Sequence, residues 1–163
     1  MSLEIRECDF TNADDVRVFM EHRTQVYLLG GNDATAVEKS GAMFVEWMRS
    51  LEDGMCYRHW FVVRRTVSES RIVGGAGVWL LSWLPHPTEL TGRRGKVMHV
   101  FTEPQFRRQG VGTLVLRHIV AFARDQVSGT QTHLKLNLDS PQTKLKLNLL
   151  VLSSRCLRWV NGV

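Results

Sequence analysis

The stretch that decides the fold runs Lys96-Val-Met-His-Val-Phe-Thr-Glu-Pro104, then Gln105-Phe-Arg-Arg-Gln-Gly-Val-Gly-Thr113, then Leu114-Val-Leu-Arg-His-Ile-Val-Ala-Phe-Ala-Arg-Asp125. The first piece is a short apolar run rich in β-formers and closed by Pro104, so it reads as a strand. The third places Val111, Leu114, Val115, Ile119 and Phe122 at helical spacing, so it reads as an amphipathic helix. Between them lies a loop with two arginines and two glycines. Such a loop can aim several backbone N–H groups at one point, and the helix start adds free donors and the positive end of its dipole. Arg107 and Arg108 add full charges. The expected product is a cradle for an anion, best a phosphate or pyrophosphate.

The chain has 163 residues, enough for one domain with a substantial core. Hydrophobic residues make up 44% and charged residues 23%, the balance of a soluble globular protein. No apolar run reaches membrane-spanning length, and the start Met-Ser-Leu-Glu-Ile-Arg-Glu lacks the features of a secretory signal. Cys8, Cys56 and Cys156 are scattered, which argues against a disulfide framework or a zinc knuckle. A cytoplasmic location is the resulting expectation. The net charge of +5 comes largely from one end. Four of the 21 basic residues, Lys144, Lys146, Arg155 and Arg158, follow the last acid, Asp139, which leaves 17 basic against 16 acidic side chains before them. That tail is mostly leucine, so a basic nucleic-acid-binding module rests on little more than charge.

Along the chain, Leu3 to Cys8 reads as a strand. Thr11 or Asn12 caps a helix with Asp14 and Asp15 in its first turn and Val16, Phe19, Met20, Val26 and Tyr27 toward the core. Gly30 to Asp33 stops it. A second helix is expected over about Thr35 to Leu51, carrying Val37, Met43, Phe44 and Trp47. Tyr57 to Arg64 and Arg71 to Leu81 form a hairpin. The second of these strands holds Gly74-Gly75-Ala76-Gly77, and glycines inside a strand signal a bulge or a close approach of another group. A long connection, Ser82 to Gly95, leads to the quoted strand. After the helix, Thr132 to Leu138 is a further strand, and Thr143-Lys-Leu-Lys-Leu-Asn-Leu149 echoes its sequence. For that tail a hairpin, a helix and an altered reading frame or divergent end are three competing accounts, and a strand over Leu145 to Leu152 is the preferred one.

Neither a Walker loop nor a Gly-x-Gly-x-x-Gly turn is present after the quoted strand. Arg107-Arg108-Gln109-Gly110-Val111-Gly112, with its strand, Glu103-Pro104, Phe106 and long helix, instead resembles motif A of the GNAT superfamily of N-acetyltransferases. The resemblance covers about Leu3 to Leu138 and is specific at motif A. It implies an α/β fold with a central mixed β-sheet flanked by helices, a single acyl-CoA-binding domain over 1–163 with a divergent tail at 140–163. It also implies acetyl-CoA as co-substrate, no metal, and direct transfer of the acetyl group to a primary amine of a small molecule or protein. Backbone groups of Val100, Phe101 and Thr102 would pair with pantetheine. Arg107, Arg108, Gln109, Gly110, Val111, Gly112 and Thr113 would hold the pyrophosphate. A backbone N–H near Val100 would stabilise the oxyanion.

Candidates for the base are Glu103, at the end of the strand, and His99, which titrates in the useful range. His99 should lie opposite Met98 and Val100 by strand alternation. Glu21 and Glu46 lie on the first two helices, which the resemblance implies line the acceptor side, and the plain reading of each is a solvated helix charge. His22, His59, His86, His118 and His133 show no metal-ligand spacing. Relatives often carry a tyrosine after the last motif A strand that protonates the thiolate. The only tyrosines here are Tyr27 and Tyr57, and Cys156 reads as an inert thiol rather than a replacement. Partners implied are acetyl-CoA and an amine acceptor, with no membrane and no nucleic acid, and with a homodimer left open. The rival account is a catalytically inactive acyl-CoA-binding or partner-binding domain.

Overall fold

The computed structural model describes residues 2–51, 56–82, 84 and 93–126. The expected strand Thr132–Leu138, the tail beyond it and most of the long connection lie outside the described residues. Within them the order is β1 (Ser2–Glu7), α1 (Ala13–Leu29), α2 (Ala34–Arg49), β2 (Cys56–Arg65), β3 (Ser70–Ser82), β4 (Arg93–Thr102), a 3-10 turn Pro104–Phe106, and α3 (Val111–Gln126). The four strands form one sheet in the order β1-β2-β3-β4, each pair antiparallel. Any parallel pairing of the expected mixed sheet would have to come from outside the described residues. Helices flank the sheet, as the α/β expectation had it.

β2 shows how sequence becomes layers. Its alternation sends Trp60 and Val62 toward α3, where Val73, Val78, Val97, Val115 and Ile119 complete one core. Tyr57 and Phe61 go the other way, joining Phe19, Phe44 and Cys8 under α1 and α2. α3 buries Val111, Val115, Leu116, Ile119, Val120 and Ala123.

The first helix is capped as expected: the Asn12 side chain accepts from the N–H groups of Asp14 and Asp15 at 2.9 and 3.1 Å. Its buried face departs from expectation. Asp15, Phe19, His22 and Arg23 are buried, while Val16, Met20, Val26 and Tyr27 are only partly covered. The reason is that polar partners wait on the sheet and on α2. Asp15 takes both Arg6 guanidinium nitrogens at 2.6 Å and the Asp9 N–H at 2.9 Å. On α2, Val37, Gly41 and Phe44 face inward at helical spacing, which leaves Met43 on the outer face, 68% exposed.

Candidate functional site

The loop between β4 and α3 is built from backbone bonds. Glu103 N–H donates to Val73 O at 3.0 Å, tying the strand end to β3. Phe106 N–H donates to Glu103 O at 2.9 Å, and Arg107 N–H to Pro104 O at 3.3 Å. Arg107 Nε reaches back to Thr102 O at 3.2 Å, and Gln109 Nε2 to Gln105 O at 2.8 Å. Arg108 has φ 61° and Gly110 has φ 83°. The left-handed conformation is costly for the arginine and natural for the glycine. Leu114 N–H donates to Gly110 O at 2.9 Å, the opening bond of α3. The N–H groups just ahead of it have no acceptor within the helix by its geometry. Arg107 to Gly110 are exposed, and Gly112 and Thr113 are half-buried. Gly74 seats this unit: a Cβ there would fall 2.7 Å from Phe101 O and 2.8 Å from the Val111 side chain.

β4 carries a bulge. Gly75 pairs with Phe101 but Gly77 pairs with Met98, so β4 spends an extra residue there. His99 absorbs the irregularity with φ 52°. The bulge breaks the alternation expected of the strand. Met98 and His99 both pack toward α1 and α2, while Val100 joins the α3 side.

His99 is 6% exposed and bonded at both ring nitrogens. Nδ1 lies 2.8 Å from Tyr57 Oη, and Nε2 lies 3.5 Å from Tyr27 Oη. Tyr57 Oη also lies 3.3 Å from His59 Nδ1. Burial, with help from the positive Arg23, pushes His99 down to about 3, so it is neutral at pH 7. Burial drives His59 well below the ordinary histidine range and lifts the Tyr57 phenol well above its own. His22, buried against Phe101, is pushed down to about 4. The glycine run makes this chain of rings fit. A Cβ on Gly77 would run into the Tyr57 hydroxyl, and one on Gly75 would sit 2.7 Å from His59 Nε2.

Glu103 lies elsewhere. Its carboxylate accepts from Arg71 at 2.8 Å and from Gln105 at 2.6 Å. It braces the turn and does not meet His99, which is four residues back and faces α1. Glu21 pairs with Arg17 at 2.8 Å, and both Glu21 and Glu46 are exposed. Sequence reasoning missed Tyr27, Tyr57 and His59 as one set, because only the sheet register and the α1 packing bring them to the bulge. The strand-interior glycines were the one available signal. A cavity of about 650 Å³ opens between α1, α2 and the start of β2, lined by residues including Phe10, Val16, Phe19, Met48, Leu51 and Tyr57, none of the described ones charged. Among the described residues no group of three or more His, Cys, Asp or Glu could hold a metal ion, and no helix is long and apolar enough to cross a membrane.

A family model described as the acetyltransferase (GNAT) family matches residues 32–145. No curated protein sequence matches the chain. Solved structures share the fold. A GCN5-related N-acetyltransferase from Ralstonia eutropha JMP134 is 24% identical, with 82% of this chain and 84% of that one covered and a TM-score of 0.62. A predicted acetyltransferase from Clostridium acetobutylicum, solved with acetyl-CoA, is 18% identical over 84% of this chain and 97% of that one, with a TM-score of 0.57. An aminoglycoside acetyltransferase from an uncultured soil metagenomic sample is 13% identical over 83% of each chain, with a TM-score of 0.53.

Proposed function

The chain belongs to the GNAT acetyltransferase family, and on that premise we propose that it transfers an acetyl group from acetyl-CoA to a primary amine of a small molecule or protein. The observation that carries the reading is the loop from Arg107 to Thr113, with positive φ at Arg108 and Gly110 at the mouth of α3. Its donors and charges suit a pyrophosphate. That the Clostridium acetobutylicum structure was solved with acetyl-CoA adds support. In this reading Arg107, Arg108, Gln109, Gly110, Val111, Gly112 and Thr113 hold the pyrophosphate, and backbone groups of Val100, Phe101 and Thr102 hold the pantetheine. When bound, acetyl-CoA supplies the acetyl group as a thioester.

The chain's own part is to position the acceptor and to manage one proton. Fixing the amine against the bulge makes an encounter of two molecules a positioned event. The amine must shed a proton before it attacks, and His99 Nε2 and the Glu103 carboxylate are the proposed receivers. His99 has the better place, at the bulge, with Tyr57 and Tyr27 fixing its ring. Glu103 is already engaged by Arg71 and Gln105.

One observation favours a second reading, an acyl-CoA-binding domain without turnover. A histidine pushed down to about 3 is a weak base, well off the working pH. Release of free thiol from acetyl-CoA over a panel of amines separates the two. Amine-dependent release supports the transferase. Tight coenzyme A binding with no release for any amine supports the second reading.

A further inference from the structure

Arg23 is 4% exposed, yet among the described residues no carboxylate pairs with it. Its Nη2 donates to Ser40 O at 3.3 Å and Ser40 Oγ at 3.0 Å. Among the described residues Nε and Nη1 have no partner. A guanidinium carries five N–H donors, so three of them are left unused here. The group lies over two rings, Tyr27 at 4.6 Å and Phe44 at 5.2 Å from the centroids. Those rings are also neighbours of His99: its ring centroid is 5.2 Å from that of Phe44, and Tyr27 Oη reaches its Nε2. Gly41 on α2 lets the two helices close around the group: a Cβ there would be 2.7 Å from the Met20 methyl and 3.8 Å from Arg23 Nη1. A buried cation without a counter-ion is expensive, and arginine cannot escape by losing its proton. Aromatic faces soften that cost without removing it.

We propose that Arg23 is the anchor for a carboxylate carried by the acceptor, so that the substrate is an amino acid or similar amine bearing a carboxylate rather than a polyamine or neutral amine. The proposal rests on the acetyltransferase reading and names the acceptor class for that site. The carboxylate would take the unused Nε and Nη1 donors, and the amine would extend past Tyr27 and Phe44 toward His99. Arg23 is then a specificity residue, and its charge does not enter the chemistry at the thioester.

The experiment compares glycine, β-alanine and γ-aminobutyrate, each with its carboxamide, as acceptors for the wild type, Arg23→Met and Arg23→Lys. In parallel, binding of the N-acetylated acids to the protein saturated with coenzyme A is read by calorimetry, which needs no turnover. The expected result is a kcat/KM for the best acid about tenfold or more above its amide, the preference abolished in Arg23→Met and partly kept in Arg23→Lys. Coenzyme A affinity stays as in the wild type. The N-acetyl acid binds the wild type and not Arg23→Met. Turnover that ignores the carboxylate, with Arg23→Met behaving as the wild type, overturns the proposal and spares the transferase reading. If no amine is acetylated, the transferase reading fails alone, and calorimetry still decides for or against the carboxylate site. The remaining partners for Arg23 are the carboxylates outside the described residues, Glu52, Asp53, Glu89 and Asp139. A fall of many degrees in the melting temperature of Arg23→Met, together with no binding of any N-acetyl acid to the wild type, would assign Arg23 to one of those and overturn the proposal.

Discussion

At the scale of single residues, Gly77 and Gly75 hold the buried polar chain in place. Gly77 leaves space for the Tyr57 hydroxyl, which in turn orients His99. Gly77→Ala should therefore do two things. Overpacking should destabilise the fold by about 1–3 kcal/mol, read by urea denaturation. Displacing Tyr57 should also lower turnover more than it lowers coenzyme A affinity. A variant that matches the wild type in both would mean that Tyr57 has slack the geometry does not show. The run Gly74 to Gly77 was legible in the sequence as a close approach, but its object was not. Tyr57 and His59 are close in sequence, yet only the register of β2 against β3, which pairs Tyr57 with Trp79 and His59 with Gly77, brings their rings diagonally against Gly77 and Gly75. His99 was legible as a candidate on its strand. Its side was misread because a bulge shifts alternation, and the glycines that signal one lie on β3 while the extra residue falls in β4.

Among elements, the strand–turn–helix unit of β4, Pro104–Phe106 and α3 was the most legible part of the chain. Its residues state their own roles: a short apolar run of β-formers, a proline stop, then apolar residues at helical spacing. α1 was less so, because three of its four buried residues, Asp15, His22 and Arg23, are charged or polar and hydrophobic periodicity counts only apolar residues. In the turn, charge and conformation can be pulled apart at Arg108. Its φ of 61° suits glycine better than arginine. Arg108→Gly should leave the melting temperature unchanged or slightly raised while weakening coenzyme A by about tenfold, the worth of a charge-assisted bond to phosphate. Equal affinity for both proteins would mean the side chain points away from the ligand. Gly112 makes the opposite case. A Cβ there meets only Thr102 Oγ1, at 3.8 Å, so Gly112→Ala should not harm the fold and should gain about 1 kcal/mol in helix propensity. Chemical denaturation checks it, and a loss of stability would contradict the helix start described above.

For the whole molecule, three histidines buried in the neutral state, His22, His59 and His99, set the response to acid. Each has a folded pKa below the ordinary 6.5, pushed there chiefly by burial. As pH falls through about 6.5 the unfolded chain binds protons first, so stability is full above that point and declines as pH drops toward 4 and 3. Asp15, held low by Arg6, adds to the loss at the acid end. The melting temperature should fall steeply between pH 6.5 and 4, by the equivalent of a few kcal/mol. A flat profile over that range would contradict the burial of these rings. None of this could be read from the sequence, where histidines on separate elements look like ordinary surface residues.

The claim on which the rest depends is that the loop from Arg107 to Thr113 seats the pyrophosphate of coenzyme A. Calorimetric titration of the wild type with coenzyme A and with pantetheine, which lacks the pyrophosphate, tests it most directly. The account predicts saturable binding of coenzyme A at one site and binding of pantetheine weaker by at least about a hundredfold, since several charge-assisted bonds are lost together. Equal affinities, or no binding of coenzyme A to the folded protein at millimolar concentration, would contradict it.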